Sequence, residues 1–85
     1  MSEEIPGWEI IEDGKKIARK FEFKNFVESM KFINKLADLA ESEGHHPDIF
    51  VSYKRVTITL WTHAIGGLSE NDFILAAKTN ELLPN

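Results

Sequence analysis

With 85 residues, of which 42% are hydrophobic and 28% charged, the chain has the composition of one small globular domain spanning residues 1–85. A formal net charge of −4 argues against a surface built for nucleic acid, and the lack of cysteine removes disulfide frameworks and thiolate metal sites. No apolar run is long enough to span a membrane, and the acidic start "MSEEIPGW" has no signal-type segment, so a cytoplasmic protein is expected.

The stretch "WEIIEDGKKIARKFEF" reads as a hairpin, with Asp13-Gly14 as a two-residue turn signal between strand-like runs. In the second run Ile17, Arg19, Phe21 and Phe23 alternate with Ala18, Lys20 and Glu22, giving one largely apolar face. Arg19 is the exception there, and its stem is expected to lie along the sheet edge with its head in water. From Asn25 the period changes: Phe26, Met30, Ile33, Ala37 and Ala40, widened by Phe32, Leu36 and Leu39, predict an amphipathic helix. Asn25 with Glu28 resembles a capping box, and Gly44 suits the left-handed position that ends a helix near Glu43. The apolar arc covers nearly half of the helix, which leaves room for contact with a second subunit.

"DIFVSYKRVTITLWTH" predicts a second hairpin bent at Lys54-Arg55. Val56, Ile58 and Leu60 face one way; Thr57, Thr59, Trp61 and His63 face the other. A last helix is expected from Ser69 to about Leu82, with Asp72 at its third position. The order ββαββα implies an α+β domain, a four-stranded antiparallel sheet with two helices packed on one face. A chain this short buries only about 60% of the surface its unfolded form exposes. Oligomerisation is therefore an expected source of stability.

Two of the three histidines stand side by side in "EGHHPD". Pro47 disfavours helical backbone at His46, so the chain must leave the helix near His45. A bend at that point can aim both rings at one cavity, beside the negative end of the helix dipole. Glu41, four residues before His45, adds negative charge. Imidazole as a side-chain type titrates near neutral pH and suits proton transfer. The plainer alternative makes His45 and His46 exposed residues at a helix stop. Asp72 likewise has a purely local reading, because "SEND" is a Ser-x-x-Asp capping arrangement. Trp8 reads as a half-buried packing residue. Three histidines with Glu41 or Asp72 would suffice for zinc, but adjacent histidines are not a helical ligand spacing, and no metal is expected. No phosphate-binding glycine loop or nucleophile elbow is present either.

Taken together, Glu41, His45-His46-Pro47, Tyr53, "ITLWTH" ending at His63, and "GGLSENDF" containing Asp72 resemble the pterin-4a-carbinolamine dehydratases. Gly7-Trp8 and "FEFKNF" extend the likeness from Gly7 to Leu82. Many members carry a further helix before the Gly-Trp pair, whereas six residues precede it here. The resemblance implies dehydration of 4a-hydroxytetrahydropterin to quinonoid dihydropterin by acid–base catalysis, without cofactor or metal. That reaction recycles the cofactor of aromatic amino-acid hydroxylases, one of which is then a candidate partner. It also implies that His45, His46 and His63 are the catalytic set, with Trp8, Glu41, Pro47 and Asp72 around the substrate. A homodimer or homotetramer is implied as well. Which histidine serves as acid and which as base stays open. So do a protein-binding, assembly or transcriptional-cofactor role on the same fold, and action on a molybdopterin-related pterin.

Overall fold

Two stretches of period-two apolar spacing, one on each side of a long helix, pair into a single antiparallel sheet. Its strands are β1 (Glu9–Ile11), β2 (Lys16–Glu22), β3 (Asp48–Ser52) and β4 (Arg55–Leu60), in the order β1-β2-β4-β3. Helices α1 (Phe26–Glu43) and α2 (Glu70–Asn80) complete the ββαββα order. The structure is a computed structural model that describes residues 5–83; the acidic "MSEE" lies outside the described residues.

Register decides which side chains meet. Ile17 pairs with Leu60, Arg19 with Ile58 and Phe21 with Val56, so all six share one face of the sheet. Phe32 and Leu36 of α1 pack on Phe21, Val56 and Ile58. Leu75 and Ala76 of α2 pack on Ile17 and Leu60. Both helices therefore cover the same face. Each of the Val, Leu, Ile and Phe side chains among them, fully buried, contributes about 1.5–3 kcal/mol.

The first hairpin turns more widely than Asp13-Gly14 alone requires. Ile11 pairs with Lys16, and Glu12, Asp13 and Gly14 adopt φ of 55°, 56° and 85°. Gly14 donates to the Ile11 carbonyl and Lys15 to that of Glu12, so two turns overlap in one loop. In the second hairpin Ser52 pairs with Arg55, which moves the bend from Lys54-Arg55 to Tyr53-Lys54. Both registers keep Ile49 and Val51 on the helix face, so alternation alone does not choose between them. The loop is held from outside, by the Phe23 amide donating to the Lys54 carbonyl at 2.8 Å.

Helix α1 starts as its sequence suggests, with Asn25 Oδ1 accepting from the Glu28 amide at 2.9 Å. Glu28 itself turns to Lys31 instead of back to Asn25. The buried row is Ser29, Phe32, Leu36 and Ala40, while Phe26 and Ala37 are exposed. A sheet can cover only one half of so wide an arc, and the row centred on Phe32 and Leu36 is the half it takes. Arg19 also differs from expectation. Its guanidinium lies over the Phe21 ring at 4.6 Å and donates to Asn80 Oδ1 and the Pro6 carbonyl, within the helix-covered side.

Candidate active site

The helix stop at Gly44 sets the first two histidines. Gly44 has φ 66°, and its amide reaches the Ala40 and Glu41 carbonyls. The His45 amide also donates to the Ala40 carbonyl, at 3.2 Å. A side chain at a left-handed position is strained, so glycine allows this tight reversal. Half-buried Pro47 then directs the chain into β3, whose first residue, Asp48, pairs with Thr59. Continuing that register three residues sets His45 opposite Thr62.

Asp72 joins these two segments. It is fully buried at the start of α2, and the two oxygens of its carboxylate divide the work. Oδ2 accepts the Ser69 amide at 2.9 Å, which is the acid's half of the capping box, and also the Thr62 hydroxyl at 2.9 Å. Oδ1 accepts from His45 Nε2 at 2.6 Å. Ser69 Oγ lies 2.6 Å from Thr62 Oγ1 and, since that hydroxyl already donates to Asp72, donates to it. Capping and histidine binding are thus not alternatives: one carboxylate does both. With Nε2 engaged, His45 keeps Nδ1 for other partners.

The remaining histidines sit in more open surroundings. His46 Nε2 donates to Glu41 Oε2 at 2.6 Å, with side-chain exposures of 63% and 78% against 16% for His45. His63 was expected on a strand face, but β4 ends at Leu60 and His63 opens a one-turn 3₁₀ segment, His63–Ile65. The cause is a local closure. The Thr62 amide donates to the Gly67 carbonyl at 2.8 Å and the Gly67 amide returns to Thr62, pinching the loop shut behind His63. The exposed His63 ring stacks on Trp61, with centroids 3.9 Å apart and planes 28° apart. Trp61 Nε1 donates to Asp48 Oδ2 at 3.1 Å, a second tie between the 45–48 and 61–63 segments.

Trp8 is placed elsewhere. Its indole donates to Asn80 Oδ1 at 2.9 Å and packs against both parts of the core. Asn80 lies eight residues beyond Asp72 on α2, about 12 Å along the axis at 1.5 Å per residue. Within one chain Trp8 is therefore not among the residues that Asp72 gathers. Among the described residues, no group of three or more His, Asp or Glu side chains is arranged to hold a metal ion. Two participants escaped the residue-by-residue reading. Thr62 and Asp48 look like ordinary strand-end polar residues; Thr62 finds its partners, Asp72 and Ser69, at the start of α2, and Asp48 finds Trp61 across the hairpin. A signal for Thr62 was nevertheless present, in its place beside His63.

A sequence model described as "Pterin 4 alpha carbinolamine dehydratase" matches residues 1–82. The chain belongs to that family. Membership places it among hydro-lyases. It is 53% identical over 81 residues to a putative pterin-4-alpha-carbinolamine dehydratase of Marinobacter nauticus, covering 93% of this chain and 73% of that one. It is 51% identical over 83 residues to the mitochondrial pterin-4-alpha-carbinolamine dehydratase 2 of Arabidopsis thaliana, covering 94% of this chain and 44% of the plant protein. Among solved structures, a transcriptional coactivator/pterin dehydratase from Brucella melitensis superposes with a TM-score of 0.87 at 37% identity, over 93% of this chain and 84% of that one. A pterin dehydratase-like protein identified as a RuBisCO assembly factor in the alpha-carboxysome superposes at 0.77 and 26% identity, over 89% and 88%.

Proposed function

We propose that this protein dehydrates 4a-hydroxytetrahydropterin to quinonoid dihydropterin and water, with His45, His46 and His63 as its acid–base groups. The observation that carries the reading is the buried Asp72 bridge, which ties His45 to Thr62, the residue before His63. The reaction breaks the C4a–O bond, forms the C4a=N5 double bond, and needs two proton movements. One imidazolium delivers a proton to the departing hydroxyl, and one neutral imidazole takes the proton from N5. General acid–base groups of this kind contribute about 10²- to 10⁴-fold each. Asp72 and Glu41 serve by orienting His45 and His46, and Pro47 by directing His46 out of the helix. We assign Trp8 to holding the start of the chain, on the strength of its bond to Asn80.

Physiologically, this activity would recycle the cofactor of an aromatic amino-acid hydroxylase in the cytoplasm. Among the described residues no helix is long and apolar enough to cross a membrane. A homodimer or homotetramer is part of the proposal. Phe50 and Tyr53 are 65% and 64% exposed on or beside the edge strand β3, and Phe26 and Val27 are exposed on α1. A monomer mass in light scattering at micromolar concentration would count against assembly.

Stopped-flow measurement with enzymatically generated 4a-hydroxytetrahydropterin tests the activity. Acceleration above the spontaneous dehydration is expected. A folded protein with no acceleration would shift the reading to the assembly role that names the carboxysomal neighbour, and turnover only of a molybdopterin-related pterin would reassign the substrate.

A further inference from the structure

His45 and His46 each have one ring nitrogen bonded to a carboxylate, whereas the His63 ring has no hydrogen-bond partner among the described residues. Its defined contact is the stack on Trp61. Trp61 is itself held at two points: its N–H by Asp48 Oδ2 at 3.1 Å, and its ring by the Lys16 ammonium 4.7 Å from the centroid. Neither hold comes from the 3₁₀ loop that carries His63; Asp48 opens β3 and Lys16 opens β2.

We propose that Trp61 is the positioning residue for His63, fixing the plane of an imidazole whose two nitrogens stay free for the pterin. The inference rests on the dehydratase reading above. A ring with both nitrogens unbonded can take a proton at one nitrogen and release one from the other without breaking a protein contact, whereas each carboxylate-bound ring has a single nitrogen, Nδ1, for that exchange. What it lacks is a hydrogen bond to select its rotamer. The indole face supplies that selection, and Asp48 keeps the indole from rotating away. An aromatic stack of this type biases a ring towards one orientation by up to about tenfold. The cost of losing it should therefore be modest, and it should depend on His63.

The test is a double-mutant cycle in the full-length chain, assayed with enzymatically generated 4a-hydroxytetrahydropterin. Trp61→Leu should lower kcat about 3- to 10-fold with little change in KM, and Trp61→Phe should restore most of it. In a His63→Ala background Trp61→Leu should have no further effect. Ring-current shifts give a readout independent of turnover. The His63 carbon-bound ring protons should resonate upfield in the wild type and move to ordinary positions in Trp61→Leu. Three results overturn the proposal: the same loss of kcat with and without His63, a rise in KM at constant kcat, or unchanged His63 ring shifts in Trp61→Leu. Wild-type turnover in His63→Ala would instead remove His63 from the dehydratase reading, and with it any catalytic role for the stack. The ring shifts would still decide whether Trp61 orients the ring.

Discussion

At one end of α2 the carboxylate of Asp72 draws together His45, Thr62 and the Ser69 amide; at the other, the carboxamide of Asn80 draws together Trp8, Arg19 and the Pro6 carbonyl. Both are polar side chains turned from one helix towards neighbouring segments. Their chemistry differs. A carboxylate only accepts, so every partner of Asp72 must donate, and the imidazole of His45 is among them. Asn80 accepts from Trp8 and Arg19 while donating to Pro6, and it carries no charge. Such an amide can tie the chain start to the helix but cannot respond to a proton. The same fold device thus gathers a histidine at one end and anchors the chain start at the other.

The sharpest way to break this contrast is to remove the histidines. Each of His45→Ala, His46→Ala and His63→Ala should lower turnover by about 10²- to 10⁴-fold, with melting nearly unchanged for the exposed His46 and His63 but lowered for His45, whose loss leaves the buried Asp72 Oδ1 without its donor. Spontaneous dehydration will mask part of that loss. Combined variants should lose less than the product of the single effects, because the residues act as a unit. Full activity with unchanged pterin affinity in both His46→Ala and His63→Ala would return "HHP" to an ordinary helix stop.

Asp72→Ala comes next and should affect both turnover and stability. It strips His45, Thr62 and the Ser69 amide of a shared buried acceptor, a loss of about 3–5 kcal/mol in urea unfolding. If the measured loss is only about 1 kcal/mol, Asp72 is a helix cap and no more.

Asn80→Leu probes the opposite end. Leaving the Trp8 indole and the Arg19 guanidinium without their acceptor should cost about 1–3 kcal/mol. Turnover should stay within about twofold, since no proton moves there. A tenfold drop in kcat with little loss of stability would place Trp8 and its neighbours back around the substrate.

Glu41→Gln should have the smallest effect among the variants. The pair with His46 is open to water on both sides, and exposed ion pairs contribute about 0–1 kcal/mol. Urea midpoints of the variant and the parent should therefore nearly coincide. Finally, treatment with a chelator should leave turnover unchanged; activity lost on chelation and restored by one equivalent of metal would overturn the acid–base mechanism.

Much of the architecture is local enough to be written along the chain. Alternation in "KIARKFEF" and "RVTITL" predicts strands because side chains point to opposite faces every residue. Asn25, Gly44 and Ser69 mark helix ends because a few unpaired backbone groups there need partners within one turn. "HHP" after a glycine stop could be posed as a candidate site from the chemistry of imidazole, beside the plainer helix-stop reading, and the resemblance to the dehydratases is what made His63 and Asp72 part of one set with it. What is local, the residue pattern states.

The rest depended on which distant groups met. Shifting the bend of the second hairpin from Lys54-Arg55 to Tyr53-Lys54 changes no face, so alternation could not resolve it, yet it sets which residues lie across from Thr62. The apolar arc of α1 does not reveal which half the sheet covers, and Phe26, first in the predicted stripe, is exposed. Arg19 and Trp8 find Asn80 more than sixty residues away in the chain. Asp72 could be read as a cap from "SEND" alone; that its other oxygen holds His45 is a matter of two helices packed on one sheet. A cap is satisfied within three residues of sequence, whereas a shared carboxylate needs the tertiary fold to bring its donors within hydrogen-bond reach, and that second requirement is the one that makes the candidate site.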